Sequence, residues 1–381
     1  MFSFYAIAQK KVVEQKNPYS EVDKVIDQKN DSLLTLLSIS EFVTKKFSKE
    51  EERVRAIFYW ISKNILYSPE LMFTYKTNSN RALIAKDAFE NKTGVCIGYA
   101  IIFDTLCKLS NIESYIIEGS TKQSFLPSII GHAWNGVKMN GEWKLIDATW
   151  GSGYLQGSKY VKKLNNYYFL PSAEQLISSH IPIDPIWQML RRPITLYQFY
   201  SNKSSTITSD WAWTDSITNY LKSDYISKIS STVRRLNQFG TTNEVSSNFY
   251  QYLKSLEVNY YVAKLNLSTK LLNEAVFKFN EYISFKNKQF TPNKSDEEIS
   301  KIMPEISEFI IKSKNELISI PEESLQANND FVKNNNKITT DLEEKINNES
   351  LFIKKYLSTK KNKRKELFYT KTYSVYGIPV K

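Results

Sequence analysis

Lys92-Thr-Gly-Val-Cys96-Ile-Gly-Tyr-Ala100 is followed by Gly131-His-Ala-Trp-Asn135 and then by Trp143-Lys-Leu-Ile-Asp147-Ala-Thr-Trp150. The chain has two cysteines and two histidines, and one of each stands within these three motifs. A cysteine attacks as its thiolate, so it needs a base nearby. The base in turn needs a third group to orient its ring and balance its charge. Cys96, His132 and Asp147 are candidates for these three roles.

Local pattern supports the grouping. Thr93-Gly94 interrupts the chain just before Cys96, and Ala100, Phe103 and Cys107 continue one apolar face behind it. This spacing predicts a helix that opens at Cys96 and ends near Ser110-Asn111. The free N–H groups and dipole of a first helical turn favour a negative charge, here a thiolate. Three strand-like runs follow, Glu113–Glu118, Gly131–Met139 and Glu142–Thr149, and Asn140-Gly141 is the favoured two-residue hairpin turn. Such a turn places Trp134 opposite Asp147 and His132 opposite Thr149, with all four on one face of the sheet. His132 and Asp147 then become diagonal neighbours, about 7 Å apart between backbones. One extra residue in the turn would undo this register.

Elsewhere the chain reads as three parts: an N-terminal segment over 1–30, an α+β domain with a C-terminal extension over 31–200, and an α-helical domain over 210–381. Residues 9–30 are polar and read as loose. Leu33 to Phe47 reads as a helix, and Ser48-Lys-Glu-Glu51 as a capping box opening the next, with Val54, Ile57, Phe58, Ile61 and Ile65 at helical spacing. A short helix is expected over Arg81–Glu90. Residues 151–200 hold aromatic runs and prolines, and Ser201 to Ser209 reads as a linker. Beyond it Leu272, Ala275, Val276, Phe279 and Ile283 form an apolar stripe, and Ser295-Asp-Glu-Glu298 forms a second capping box. Pro304 is expected to kink or divide the helix that follows. Asn328–Lys337 reads as a loop and Thr340–Leu357 as a last helix. At the start, Phe2 to Ala8 followed by Gln9-Lys-Lys11 reads either as the remnant of a secretion signal, with Ala6-x-Ala8 as the cleavage site, or as an ordinary apolar terminus. The first reading implies export to the periplasm or medium, the second the cytoplasm.

Composition narrows the function classes. A 381-residue chain with 41% hydrophobic and 14% aromatic residues is globular. The net charge of +11 favours anionic partners. The lysines are nonetheless spread out, apart from Lys360-Lys361-Asn-Lys363-Arg364-Lys365, and no nucleic-acid fold signature accompanies them, so no nucleic-acid partner is expected. No apolar run is long enough to span a membrane. Cys96 and Cys107 on one helix would lie roughly 16 Å apart along its axis, beyond the reach of a disulfide at about 7 Å. Cys107 reads as a buried apolar residue. No cofactor motif is present and no metal site is expected: His180 has no second histidine or carboxylate motif beside it in sequence and reads as a loop residue.

The three motifs, with Phe58-Tyr-Trp-Ile-Ser-Lys-Asn-Ile-Leu-Tyr67 and the Gly151 that follows Trp150, resemble the transglutaminase-like superfamily, closest to its kyphoscoliosis-peptidase-like branch. The resemblance covers about residues 50–155, and Tyr167–Gln188 looks like an extension of its bacterial members. It implies a papain-like α+β unit, in which a helix bearing the cysteine packs on an antiparallel sheet. It implies Cys96 as nucleophile, His132 as base and then acid, and Asp147 as the orienting carboxylate. The implied chemistry is acyl transfer from a peptide or glutamine amide to water or an amine, with a protein or peptide substrate. No glutamine stands shortly before Cys96 to act as an oxyanion donor, which leaves the Cys96 backbone N–H as the one donor proposed. Family enzymes use a tryptophan N–H for this, but the amphipathic position of Trp60 points to packing. Trp134 and Trp150 are expected in the core or as walls of a substrate cleft, and Trp143 in packing. The alternative is a catalytically silent module serving as a binding or structural platform. Hydrolysis and cross-linking, and the oligomeric state, stay open.

Overall fold

Apolar residues at helical spacing build the frame ahead of Cys96 in the computed structural model, which describes residues 17–29, 34–73, 80–123, 126–326, 329–369, 373–375 and 378–380. The apolar stretch read as a possible secretion signal lies outside these residues. Helix α1 (Ser20–Lys29) forms where loose chain was expected, burying Val22 and Ile26. Helix α2 (Leu36–Lys46) starts at a Thr35 capping box. Helix α3 (Glu50–Asn64) is capped by Lys49 without a side-chain bond, so the box expected at Ser48 does not form. Three glutamates in its first turn complement the helix dipole instead. Strand β1 (Leu66–Tyr67) pairs in parallel with β2 (Thr93–Gly94), on either side of α4 (Arg81–Glu90). Helix α5 (Cys96–Leu109) then begins at Cys96 and buries Tyr99, Ile102, Phe103, Leu106 and Cys107.

Four strands form an antiparallel sheet in the order β5-β4-β3-β8. They are β3 (Ser114–Gln123), β4 (Leu126–Met139), β5 (Glu142–Ile146) and β8 (His180–Pro182), with a separate hairpin of β6 (Gly153–Gln156) and β7 (Lys159–Lys162) between. The β4–β5 turn is the expected one. Asn140 and Gly141 both have positive φ, and pairing runs from Met139↔Glu142 to Asn135↔Ile146. The ladder stops there. Asp147 leaves the strand to cap the five-residue helix α6 (Ala148–Ser152), so the Trp134–Asp147 and His132–Thr149 pairs do not form. The two faces of β4 serve different cores. Val137 and Met139 join Ile57, Phe103 and Leu106, whereas Trp134 joins Ile117, Trp143, Leu145 and Trp187.

The chain divides into two units, Met1–Leu253 and Lys254–Lys381, beyond the 201–209 stretch. After α7 (Ala173–Leu176) and α8 (Leu196–Ser201), helices α9 (Trp213–Lys222) and α10 (Tyr225–Phe239) belong to the first unit. Ile217 enters the Trp134–Trp187 core, and Asp184 accepts both Arg235 Nε at 2.7 Å and Nη2 at 2.6 Å. The second unit is helical. It contains most of α11 (Glu244–Asn287), together with α12 (Asp296–Ile318), α13 (Glu322–Gln326) and α14 (Asn329–Ser358), and a short pair β9 (Tyr373–Val375) and β10 (Ile378–Val380). Leu272, Ala275 and Phe279 of the expected stripe are buried there with Ile299, Met303, Ile306 and Ile310. The Ser295–Glu298 capping box forms. Pro304 does not divide α12, which runs unbroken through it. Over 329–337, within the stretch expected as a loop, α14 begins instead, and buried Asn335 donates to Thr269 Oγ1 at 2.9 Å. No helix among the described residues is long and apolar enough to cross a membrane.

Candidate active site

Asp147 organises the site because its backbone and both carboxylate oxygens are committed. Its N–H donates to the Tyr168 carbonyl at 3.0 Å. As the cap of α6, its Oδ1 accepts the amides of Thr149 at 2.8 Å and Trp150 at 3.0 Å. Its Oδ2 faces the other way and lies 2.8 Å from His132 Nε2. Asp147 is 0% exposed. Burial opposes its charge, but His132 and the other hydrogen bonds outweigh this and hold the carboxyl well below its usual range.

His132 comes from β4 and is buried. Nε2 serves Asp147, which leaves Nδ1 on the other side of the ring, and Cys96 is near enough to act on the charge of this imidazole. Burial again disfavours the charged form, but the Asp147 carboxylate and its hydrogen bond, helped by Cys96, prevail and raise the imidazole to about 10. Cys96 itself is half-buried at the first position of α5, and both cysteines are free. The structure thus brings Cys96, His132 and Asp147 together from a helix start, a strand and a helix cap.

His180 corrects the sequence reading. It is not a loop residue apart from the site. It lies in β8, opposite Thr121 of β3, and its Nε2 is 3.0 Å from Asp147 Oδ2. Its Nδ1 is 2.8 Å from Ser179 Oγ. Burial lowers its basicity, with His132 acting in the same direction, against the pull of Asp147. One signal was available: a chain with two histidines places the second in a stretch rich in aromatics and prolines.

The tryptophans divide. Trp134, expected as a possible cleft wall, is 1% exposed and packs behind the histidines, its ring 5.9 Å from His132 and 5.3 Å from His180. Trp150 is half-buried, with its ring 5.7 Å from His132 and 4.4 Å from His180. Trp60 packs on Phe89 with ring centroids 5.7 Å apart, beside the segment that leads into Cys96. Its indole N–H is buried and has no hydrogen-bond partner among the described residues. His132, Asp147 and His180 each offer a ligand atom, all within 4.8 Å of one another. Those nitrogens already serve as donors to the carboxylate, so a divalent ion would have to replace both protons.

Residues 38–148 match the family model of the transglutaminase-like superfamily. The chain carries a transglutaminase-like domain. It is 34% identical over 160 residues to a kyphoscoliosis peptidase of Homo sapiens, covering 40% of this chain and 24% of that one. It is 22% identical over 201 residues to Hillarin of Drosophila melanogaster, covering 48% and 24%. The chain therefore spans about a quarter of the length of these curated relatives. Among solved structures it is similar to a proposed cysteine protease from Cytophaga hutchinsonii, with 20% identity, coverage of 37% and 45%, and a TM-score of 0.25. The transglutaminase-like domain is an α+β unit, and the chain beyond it is largely helical.

Proposed function

We propose that the transglutaminase-like domain carries out thiol-dependent acyl transfer on peptide or protein amides. One observation carries this: an imidazole held by Asp147 at 2.8 Å through Nε2, with Cys96 at a helix start near enough to act on its charge. Cys96 Sγ attacks the amide carbonyl as thiolate. The His132 imidazolium gives its Nδ1 proton to the departing amine, so the C–N bond breaks and a thioester remains. His132, now neutral, takes a proton from water or an acceptor amine, which attacks the thioester and frees Cys96. The Cys96 backbone N–H at the start of α5 is one candidate oxyanion donor.

Alkylation of Cys96 near pH 6 tests the reading. An activated pair labels at least on the order of tenfold faster than a free cysteine, and His132→Ala abolishes the excess. Labelling at the rate of a free cysteine favours a silent binding platform instead. A peptide library incubated with and without an amine then separates hydrolysis from cross-linking.

A further inference from the structure

We propose that His180 is a positioning residue of this site: by sharing Asp147 Oδ2 with His132, its Nε2–H sets how tightly the carboxylate holds the His132 proton. The inference rests on the Cys96–His132–Asp147 reading above. Both histidines of the chain direct Nε2 at one oxygen, at 2.8 and 3.0 Å. An ionised carboxylate only accepts, so both nitrogens carry hydrogen. For a neutral His180 this leaves Nδ1 as a lone pair, and Ser179 Oγ is 2.8 Å away to donate to it. The other acceptor within reach of that hydroxyl, the Leu176 carbonyl, is 3.4 Å off. The His180 ring itself cannot drift. It packs edge-on against Trp150 at 4.4 Å and Trp134 at 5.3 Å, lies 5.9 Å from Tyr168, and its backbone is paired to Thr121.

A carboxylate oxygen that accepts two N–H groups gives each less than it would give one alone. Oδ1 is meanwhile pinned by the Thr149 and Trp150 amides, so losing His180 would not release the carboxylate but would turn Oδ2 wholly to His132. The His132 imidazolium would then hold its proton more strongly. In the proposed reaction that imidazolium must give its proton to the leaving amine, so His180 keeps it a usable acid.

Nitrogen NMR of histidine-labelled protein tests this directly, since only two rings contribute. In the wild type, His180 shows a neutral ring protonated at Nε2 near pH 7. A charged ring, or one protonated at Nδ1, overturns the proposal without any variant. His180→Phe raises the His132 titration midpoint by roughly half a unit or more, and the pH dependence of Cys96 alkylation shifts with it. His180→Gln keeps an N–H at the same reach and returns the midpoint towards wild type. A midpoint unmoved in His180→Phe, or moved equally in both variants, reduces His180 to packing. If Cys96 labels as a free thiol and His132→Ala changes nothing, the acyl-transfer reading fails, while the NMR titration still decides the role of His180.

Discussion

The side-chain amide of Asn135 donates to the carbonyl oxygen of Ala100 at 3.0 Å, tying the strand that carries His132 to the helix that carries Cys96. Asn135 is 0% exposed, and its Oδ1 has no partner among the described residues. A buried polar atom left unpaired is a cost, so the bond made on the other side of the amide must hold the residue in place.

Asn135→Ala removes that tie and leaves a small cavity. The expected loss is about 1–3 kcal/mol in urea denaturation. Slower Cys96 alkylation should accompany it, because helix start and strand are no longer fixed to each other. An unchanged denaturation midpoint would show that the bond carries no stability.

The acid–base state of the site has a signature in stability. His132 is raised from 6.5 to about 10 in the folded chain. A raised group contributes fully below its unfolded value and loses the contribution as pH climbs through the folded value. Asp147 is lowered, so its contribution holds above about 3.8 and fades as pH falls below that. These are two faces of one interaction and count once. Melting temperature should therefore fall between pH 7 and 10 more steeply in the wild type than in His132→Gln. Parallel profiles would mean that the imidazole is not charged in the folded chain.

Arg55 is 0% exposed and makes a two-pronged pair with Asp23, Nε to Oδ1 at 2.8 Å and Nη2 to Oδ2 at 2.7 Å. Its Nη1 reaches Asn166 at 2.8 Å, and the rings of Tyr19 and Phe169 lie 5.0 Å from the guanidinium. Asp23→Leu strands a buried cation and should cost about 3–5 kcal/mol. The double change Asp23→Leu with Arg55→Met should cost less than the single one. Denaturation of the two variants side by side decides it, and equal losses refute the pairing argument.

Gly119 lies between His132 on one side and Pro182 on the other. A Cβ there would come within 2.3 Å of both the Ile181 carbonyl oxygen and the Trp134 ring. Gly119→Ala must push β8 from β3 or displace Trp134, with an expected cost of about 1–3 kcal/mol. It should also disturb His180, visible as a change in its ring nitrogen shifts. Unchanged shifts with lowered stability would confine the damage to Trp134.

Much of the site was legible because short-range rules govern it. Asn140-Gly141 suits a turn that needs positive φ at both positions, and this alone fixed the β4–β5 register. The break at Thr93-Gly94 placed Cys96 at a helix start. Two failures came from side chains competing with the backbone pattern. Asp147 ended β5 early because its carboxylate caps α6. The box at Ser48 was passed over, and its Glu51 accepts the Tyr19 hydroxyl at 2.6 Å instead. Others came from distance. His180 reaches Asp147 across 33 residues of chain through a three-residue strand, which leaves no periodic signal. The asparagines of 328–337 read as loop until Asn335 found Thr269 on another helix, a contact that overrides weak helix propensity.

Asp147 is at once the cap of a five-residue helix and the anchor of an imidazole. Opening that single turn would free the oxygen that steadies the carboxylate, so the readiness of the site and the closed state of this turn form one equilibrium. Hydrogen exchange at the Thr149 and Trp150 amides therefore reads out the fraction of molecules whose site is assembled, with no substrate present.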